Sequence, residues 1–225
     1  MASSGTAEHK FCDVPTVKLL VGPDKAAFTV HRNQLCEASP FFKAAFMSEF
    51  KEGAEQEMEL PEDDVTIVDL FVQWIYTGQC RFSTRFELLL RLPTLAMDDE
   101  EECFHEPIRL YIFSDRYSVP ALRKHVLERL LTYAKNTGFN FRPPKSIVEY
   151  VYENTCQGSG LRRFIVNWHA WCADPEHLSE SAAEVLFLKV PEFTMDLLIA
   201  ILKFSMKLRD PEHPFMLDGP EQYLK

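Results

Sequence analysis

Phe28-Thr29-Val30-His31-Arg32, Ser39-Pro40-Phe41-Phe42-Lys43-Ala44-Ala45-Phe46, Glu59-Leu60-Pro61-Glu62-Asp63-Asp64 and Phe71-Val72-Gln73-Trp74-Ile75-Tyr76-Thr77-Gly78 follow one another between positions 28 and 78. Phe28 and Val30 alternate with Thr29, the period of a half-buried strand ending at His31. Ser39 can accept a first-turn backbone N–H, and Pro40 fits the first helical position, where a missing N–H costs nothing; this predicts a helix through Phe41–Met47. A further strand ends at Leu60. Asp63 or Asp64 then caps a helix whose Ile67, Val68, Phe71, Trp74 and Ile75 share one face. Gly78, free of a Cβ clash at positive φ, ends it. The predicted order is β-α-β-α.

Upstream, Val17, Leu19 and Val21 alternate along a strand, and Gly22-Pro23-Asp24-Lys25 supplies turn chemistry for a hairpin with the Phe28 strand. Asn33–Cys36 predicts a short helix. The acidic residues between Glu49 and Asp64 are expected to form a solvated loop and strand edge.

With Cys12-Asp13-Val14 ahead of them, these blocks resemble the BTB/POZ domain, and most closely the short BTB proteins of filamentous fungi. A later block, Tyr111-Ile112-Phe113-Ser114-Asp115-Arg116-Tyr117-Ser118-Val119-Pro120-Ala121-Leu122, resembles the last helical pair of the same domain. Several blocks in the right order, over roughly half the chain, make a more specific match than one short motif. The resemblance implies an α/β (α+β) BTB/POZ fold over 12–136, a small sheet packed with helices, followed by an all-helical C-terminal extension over 143–210. Residues 1–11 are expected to be disordered, 83–105 to be a loop insertion and 211–225 a tail.

Within that insertion Phe86–Leu92 can make a helical turn or two, and Asp98-Asp99-Glu100-Glu101-Glu102 is a like-charge run expected to stay solvated and mobile. Any strand near Cys80–Phe82 is left without an assigned partner. Pro107 is expected to open a helix carrying Ile108, Tyr111 and Ile112, and Pro120 a second carrying Leu122, Val126, Leu130 and Leu131 before Asn136-Thr137-Gly138. After the connector Phe139–Pro144, Ser146-Ile147-Val148-Glu149 fits a capping box. That helix shows Ile147, Val148, Val151 and Tyr152, and the next shows Leu161, Phe164, Ile165 and Trp168. Ser181 is another candidate cap. Pro191 starts a last long helix with Leu197, Leu198, Ile201, Phe204 and Leu208 as its apolar face.

The 225 residues carry a net charge of −10, which repels phosphate backbones and argues against nucleic-acid binding. The N-terminus lacks the apolar core of a secretory signal, and no run approaches the roughly 20 apolar residues of a membrane span, so a soluble protein of the cytoplasm or nucleus is expected. The 6 cysteines form no Cys-x-x-Cys pair and are expected to be thiols, as small apolar core or boundary residues. No internal repeat is visible, so a propeller-type substrate receptor is not expected within these residues.

There is no phosphate-cradling glycine loop, Gly-x-Ser-x-Gly elbow or His-Glu-x-x-His, and with 8 glycines an elaborate loop-built active site is not expected. Among metal-ligand candidates, His169 and Cys172 lie three apart on a predicted helix, but Cys156 and His177 complete no recognised spacing; structural roles are expected. Cys103-Phe104-His105 is weaker still. No cofactor, metal, membrane or small-molecule substrate is expected.

The resemblance supplies sharper candidates. Asp13 and Arg32 match the charged pair of the BTB pocket, where a structural role is favoured over peptide binding, since losing either partner strands a charge. His31 is expected to hydrogen-bond backbone. Phe50-Lys51-Glu52 stands where cullin-binding BTB proteins carry a hydrophobic-x-Glu motif, with Met47-Ser48-Glu49 as a second register. An exposed aromatic filling a partner's pocket beside a directed carboxylate is the physics of such a contact. The implied function is a non-enzymatic protein-interaction module adapting a cullin-type ubiquitin ligase, the alternative being a self-associating BTB scaffold. Only eleven residues precede Cys12, so the segment that many BTB dimers exchange looks truncated, and a monomer or a dimer through another face is expected.

Overall fold

The computed structural model describes residues 14–91, 100–136, 143–172, 188–207 and 220–224, in two compact units divided after Gly78. Residues 1–13, Asp13 among them, lie outside the described residues, as do 92–99, 137–142, 173–187 with Ser181, 208–219 and 225.

In the first unit, β1 (Thr16–Val21) pairs antiparallel with β2 (Ala26–His31) and parallel with β3 (Glu57–Leu60), in the order β2-β1-β3. The register sets Leu19 opposite Phe28 and Met58, and Val21 opposite Leu60. The period of two sends Val17, Leu19 and Val21 inward while Thr16 and Lys18 face water. Gly22, at φ 71°, allows the turn, which Lys25 closes by donating to its carbonyl at 3.2 Å.

Between β2 and β3 run α1 (Arg32–Ala38), α2 (Pro40–Phe46) and α3 (Lys51–Glu55). Ser39 caps α2 as predicted, accepting from the Phe42 N–H at 3.2 Å, with Pro40 in the first turn. Asp64 is the aspartate that caps α4 (Val65–Thr77), accepting from the Thr66 N–H at 2.8 Å. Gly78 ends α4 in the left-handed region, φ 67°. Phe42 stacks on Phe46 and Phe71 at 6.4 and 5.9 Å between ring centroids, joining α2 to α4 over the sheet residues Leu19 and Val30 in one core.

The second unit contains α5 (Thr84–Arg91), α6 (Glu100–Arg116), α7 (Pro120–Asn136), α8 (Lys145–Asn154), α9 (Gly160–Trp171) and α10 (Pro191–Lys207), with a 3-10 turn at Pro220–Tyr223. Every apolar residue expected to face inward on α7, α8 and α9 is buried, as are Ile108, Tyr111 and Ile112 on α6. Phe104 of α6 meets Tyr133 of α7 and Trp168 of α9 at 5.4 and 5.7 Å, and Phe86 of α5 stacks on Tyr133 at 5.6 Å. Packing therefore merges the helical pair placed before 136 with the helices placed after 143. Rings from α5, α6, α7 and α9 share one core, so no division falls at the connector.

Five expectations need correction. Residues 83–105 are not one loop: α5 occupies Thr84–Arg91, and α6 begins at Glu100 inside the acidic run. Acid in a first helical turn interacts favourably with the N–H groups exposed there, so like charge does not forbid the helix. Pro107 consequently lies inside α6 rather than opening it. An interior proline costs about 3 kcal/mol, which full burial of Cys103 and Phe104 upstream can offset.

Ser146 does not cap α8; the helix starts at Lys145 with Pro144 at the cap position, because a proline already supplies the φ of a helix entry. On α10 the inward face is Phe193, Leu197 and Ala200, spaced i, i+4 and i+7, so Leu198 is turned about a quarter revolution away and is exposed; the Phe204 side chain and Leu208 lie outside the described set. Finally, the end of the expected 211–225 tail is folded. Tyr223 is buried, its ring 5.2 Å from Phe164, and its hydroxyl accepts from Asn167 Nδ2 at 3.2 Å.

Arg162, buried, knits the C-terminal helices. It donates to the carbonyl of Tyr152 at 2.7 Å, to Thr155 Oγ1 at 3.0 Å and to Glu192 at 2.5 Å, and its guanidinium lies 4.3 Å from the Tyr152 ring centroid. Satisfying several acceptors at once is what lets this cation leave water. Among the described residues no helix is long and apolar enough to cross a membrane.

Candidate functional site

The segment from Phe46 to Gln56 leaves α2, turns outward and returns to β3. Met47 caps the end of α2, its N–H donating to the Lys43 carbonyl at 3.1 Å. Ser48 Oγ donates to the Ala45 carbonyl at 2.8 Å and accepts from the Phe50 N–H at 3.3 Å. Phe50 is then the N-cap of α3, and its carbonyl accepts from Ala54 at 3.0 Å. The backbone on both sides of Phe50 is hydrogen-bonded, yet its ring is 74% exposed, the most exposed large apolar side chain among the described residues of this unit. Met47, 59% exposed, stands on the same loop.

The two candidate registers differ in their acids. Glu52 is half-buried in the first turn of α3, while Glu49 is exposed in the loop. The Phe50 register therefore pairs the more exposed apolar side chain with the less exposed carboxylate. Lys51 reaches Glu55 at 3.8 Å across one helical turn, an exposed pair of little energetic weight.

Gly53 explains why the loop closes. A Cβ there would lie 2.0 Å from the Ser48 carbonyl oxygen, so α3 approaches the end of α2 more closely than any other residue permits. Gln56 ends α3 in the left-handed region, φ 53° and ψ 36°, and turns the chain into β3. Sequence reasoning passed over both residues. A lone glycine in an acidic helix-forming stretch was the available signal for Gly53; nothing in sequence marked Gln56.

Arg32, placed in a charged pocket with Asp13, begins α1 and donates from Nη1 to Gln56 Oε1 at 3.2 Å. Asp13 lies outside the described residues. His31 departs from expectation. Its ring, rather than bonding backbone, has Nδ1 2.8 Å from the Tyr76 hydroxyl, which also accepts from the His31 backbone N–H at 3.0 Å. This joins the end of β2 to the end of α4.

Among the described residues the cysteines and histidines form no cluster of three or more potential metal ligands. His169 is buried, with Nδ1 2.9 Å from the Ile165 carbonyl and its ring edge-on to Phe193; Cys172 is half-buried, Cys156 exposed, and His177 lies outside the described set. Burial pushes the Cys80 thiol up to about 12 and raises that of Cys36, which keeps both protonated and poorly nucleophilic near neutrality.

Comparison with known proteins bears on the first unit and the start of the second. Residues 5–101 match the model of the BTB/POZ domain, and the chain carries that domain: a small three-stranded sheet packed with helices, followed by a helical C-terminal region. Human Kelch-like protein 38 is 39% identical over 54 residues, 24% of this chain and 9% of that protein. The zebrafish (Danio rerio) Kelch-like protein 38 is 36% identical over 85 residues, 38% of this chain and 13% of the relative. Rat Kelch-like protein 41 is 37% identical over 71 residues, 32% of this chain and 11% of the relative. The matched stretches thus span about a tenth of each curated relative.

Proposed function

We propose that this chain is a non-enzymatic protein-interaction module of the cytoplasm or nucleus that docks a cullin-type ubiquitin-ligase scaffold through the loop between α2 and α3. Phe50 is the anchor and Glu52 the directed acid; Met47 and Glu49 border them. The observation that carries the reading is the exposure of the Phe50 ring, 74%, on a backbone held by hydrogen bonds on either side. A preorganised aromatic that need not be ordered on binding gives up little entropy to its partner, which is how a few residues come to dominate an interface. The resemblance of Phe50-Lys51-Glu52 to the cullin-contacting motif of BTB proteins supports this choice of partner.

Single alanine variants at Met47, Glu49, Phe50 and Glu52, titrated onto an immobilised cullin amino-terminal domain, separate the two registers. Phe50→Ala and Glu52→Ala are expected to weaken binding more than Met47→Ala and Glu49→Ala. The opposite ranking would move the contact to the Met47-Ser48-Glu49 register, and equal small effects would remove the loop from the interface.

The second reading is homotypic self-association. It is favoured by β2, which among the described residues has a strand neighbour on one side only and so presents an outer edge along residues 26–30 to a further strand. Light scattering across a dilution series decides it: a constant mass twice that of the monomer supports the dimer, and the monomer mass throughout removes it.

A further inference from the structure

Both ends of the Phe50 loop converge on one side chain. Gln56 Nε2 donates to the Phe46 carbonyl, at 3.4 Å, and to the Gly53 carbonyl; the first lies before Phe50 in the chain and the second after it. Its Oε1 accepts from Arg32 Nη1, and its backbone carbonyl accepts from the Lys18 N–H of β1 at 2.9 Å. The half-buried primary amide thus uses donors and acceptor together, closing the base of the loop against α1. Gly53 permits the closure sterically, since any side chain there would force α3 off Ser48.

We propose that Gln56 is the positioning residue for the Phe50–Glu52 contact, with Arg32 holding its amide oxygen. The proposal rests on the docking role given to the Phe50 loop, but the clamp itself is measurable without any partner.

The test uses the full chain with 4-fluorophenylalanine at position 50 and compares Gln56→Gly with Gln56→Glu. Glycine is at ease at positive φ, so the first variant removes the amide without straining the backbone. Glutamate keeps an acceptor for Arg32 and loses both donors to the loop carbonyls. Both variants are expected to raise amide exchange at Phe50 and Ala54 about 10-fold and to shift and sharpen the fluorine resonance, with the Lys18 amide and the thermal midpoint held. Affinity for the cullin amino-terminal domain is expected to fall about 5-fold in parallel. Unchanged exchange and fluorine signals in Gln56→Gly would overturn the clamp, whether or not the domain binds. Wild-type protection in Gln56→Glu would overturn the role given to the two donors. Loosening in both variants, with no binding by the unaltered protein, would uphold the clamp and overturn the docking function.

Discussion

At Gly53 a single methyl group opposes the usual effect of helix propensity. Alanine in place of a mid-helix glycine ordinarily gains about 1 kcal/mol. Here the added Cβ would sit 2.0 Å from the Ser48 carbonyl, against backbone rather than a flexible chain end, so the loop must shift. Gly53→Ala is expected to lose about 1 to 3 kcal/mol in urea unfolding. A stabilised variant would show that the approach of α3 to Ser48 is not required. His125 gives a residue-scale prediction in pH. Its Nε2 is buried with no hydrogen-bond partner among the described residues; burial and then Arg129 lower its pKa, while Glu128 and Glu87 oppose them. The unfolded chain therefore takes up a proton near pH 6.5 before the folded one does. The contribution is complete above about pH 6.5 and is lost as the pH falls through the lowered folded value. His125→Leu should make thermal midpoints fall less steeply on acidification than in the parent; parallel curves would contradict this.

Among the elements, those with local start and stop residues are the most legible in sequence. Ser39-Pro40, the Asp63-Asp64 pair and Gly78 bounded α2 and α4 in sequence because each acts on its nearest backbone groups, and the structure selects Asp64 of the two. Tyr223 was illegible for the opposite reason: a lone aromatic carries no period, and its burial depends on Phe164 and Asn167 being brought to it by α9. Tyr111, whose hydroxyl burial pushes up to about 12, donates to the Tyr223 carbonyl at 3.4 Å, and Arg123 donates to Leu224 at 3.2 Å. Gly160 makes this possible, because its Cβ would fall 1.6 Å from the Tyr223 carbonyl oxygen. Tyr223→Ala is expected to cost about 3 to 5 kcal/mol, as for other buried aromatics. Gly160→Ala is expected to expose the C-terminal residues to carboxypeptidase while α9 persists. A C-terminus equally resistant in parent and variant would contradict the packing.

For the whole molecule, fold class could be read from ordered blocks, whereas the division of the chain could not. Nothing periodic announces that Phe104, Tyr133 and Trp168 meet, so the helices on either side of 137–142 looked like separate bodies. The candidate site was legible in part. Phe50, Glu52, Met47 and Glu49 were visible as a short pattern, but the Gln56 amide gains its role only when the Phe46 and Gly53 carbonyls stand close together. Arg32 was visible as a charge, and its bond to Gln56 was not. The proposed function requires the Phe50 loop to be a docking surface. Calorimetric titration of the full chain with a cullin amino-terminal domain tests it most directly, beside a Phe50→Ala/Glu52→Ala variant of unchanged thermal midpoint. Saturable binding that the double variant weakens by about 10-fold or more, about 1.4 kcal/mol, is the predicted result. No binding up to roughly 50 micromolar, or equal affinity in parent and variant, would contradict it.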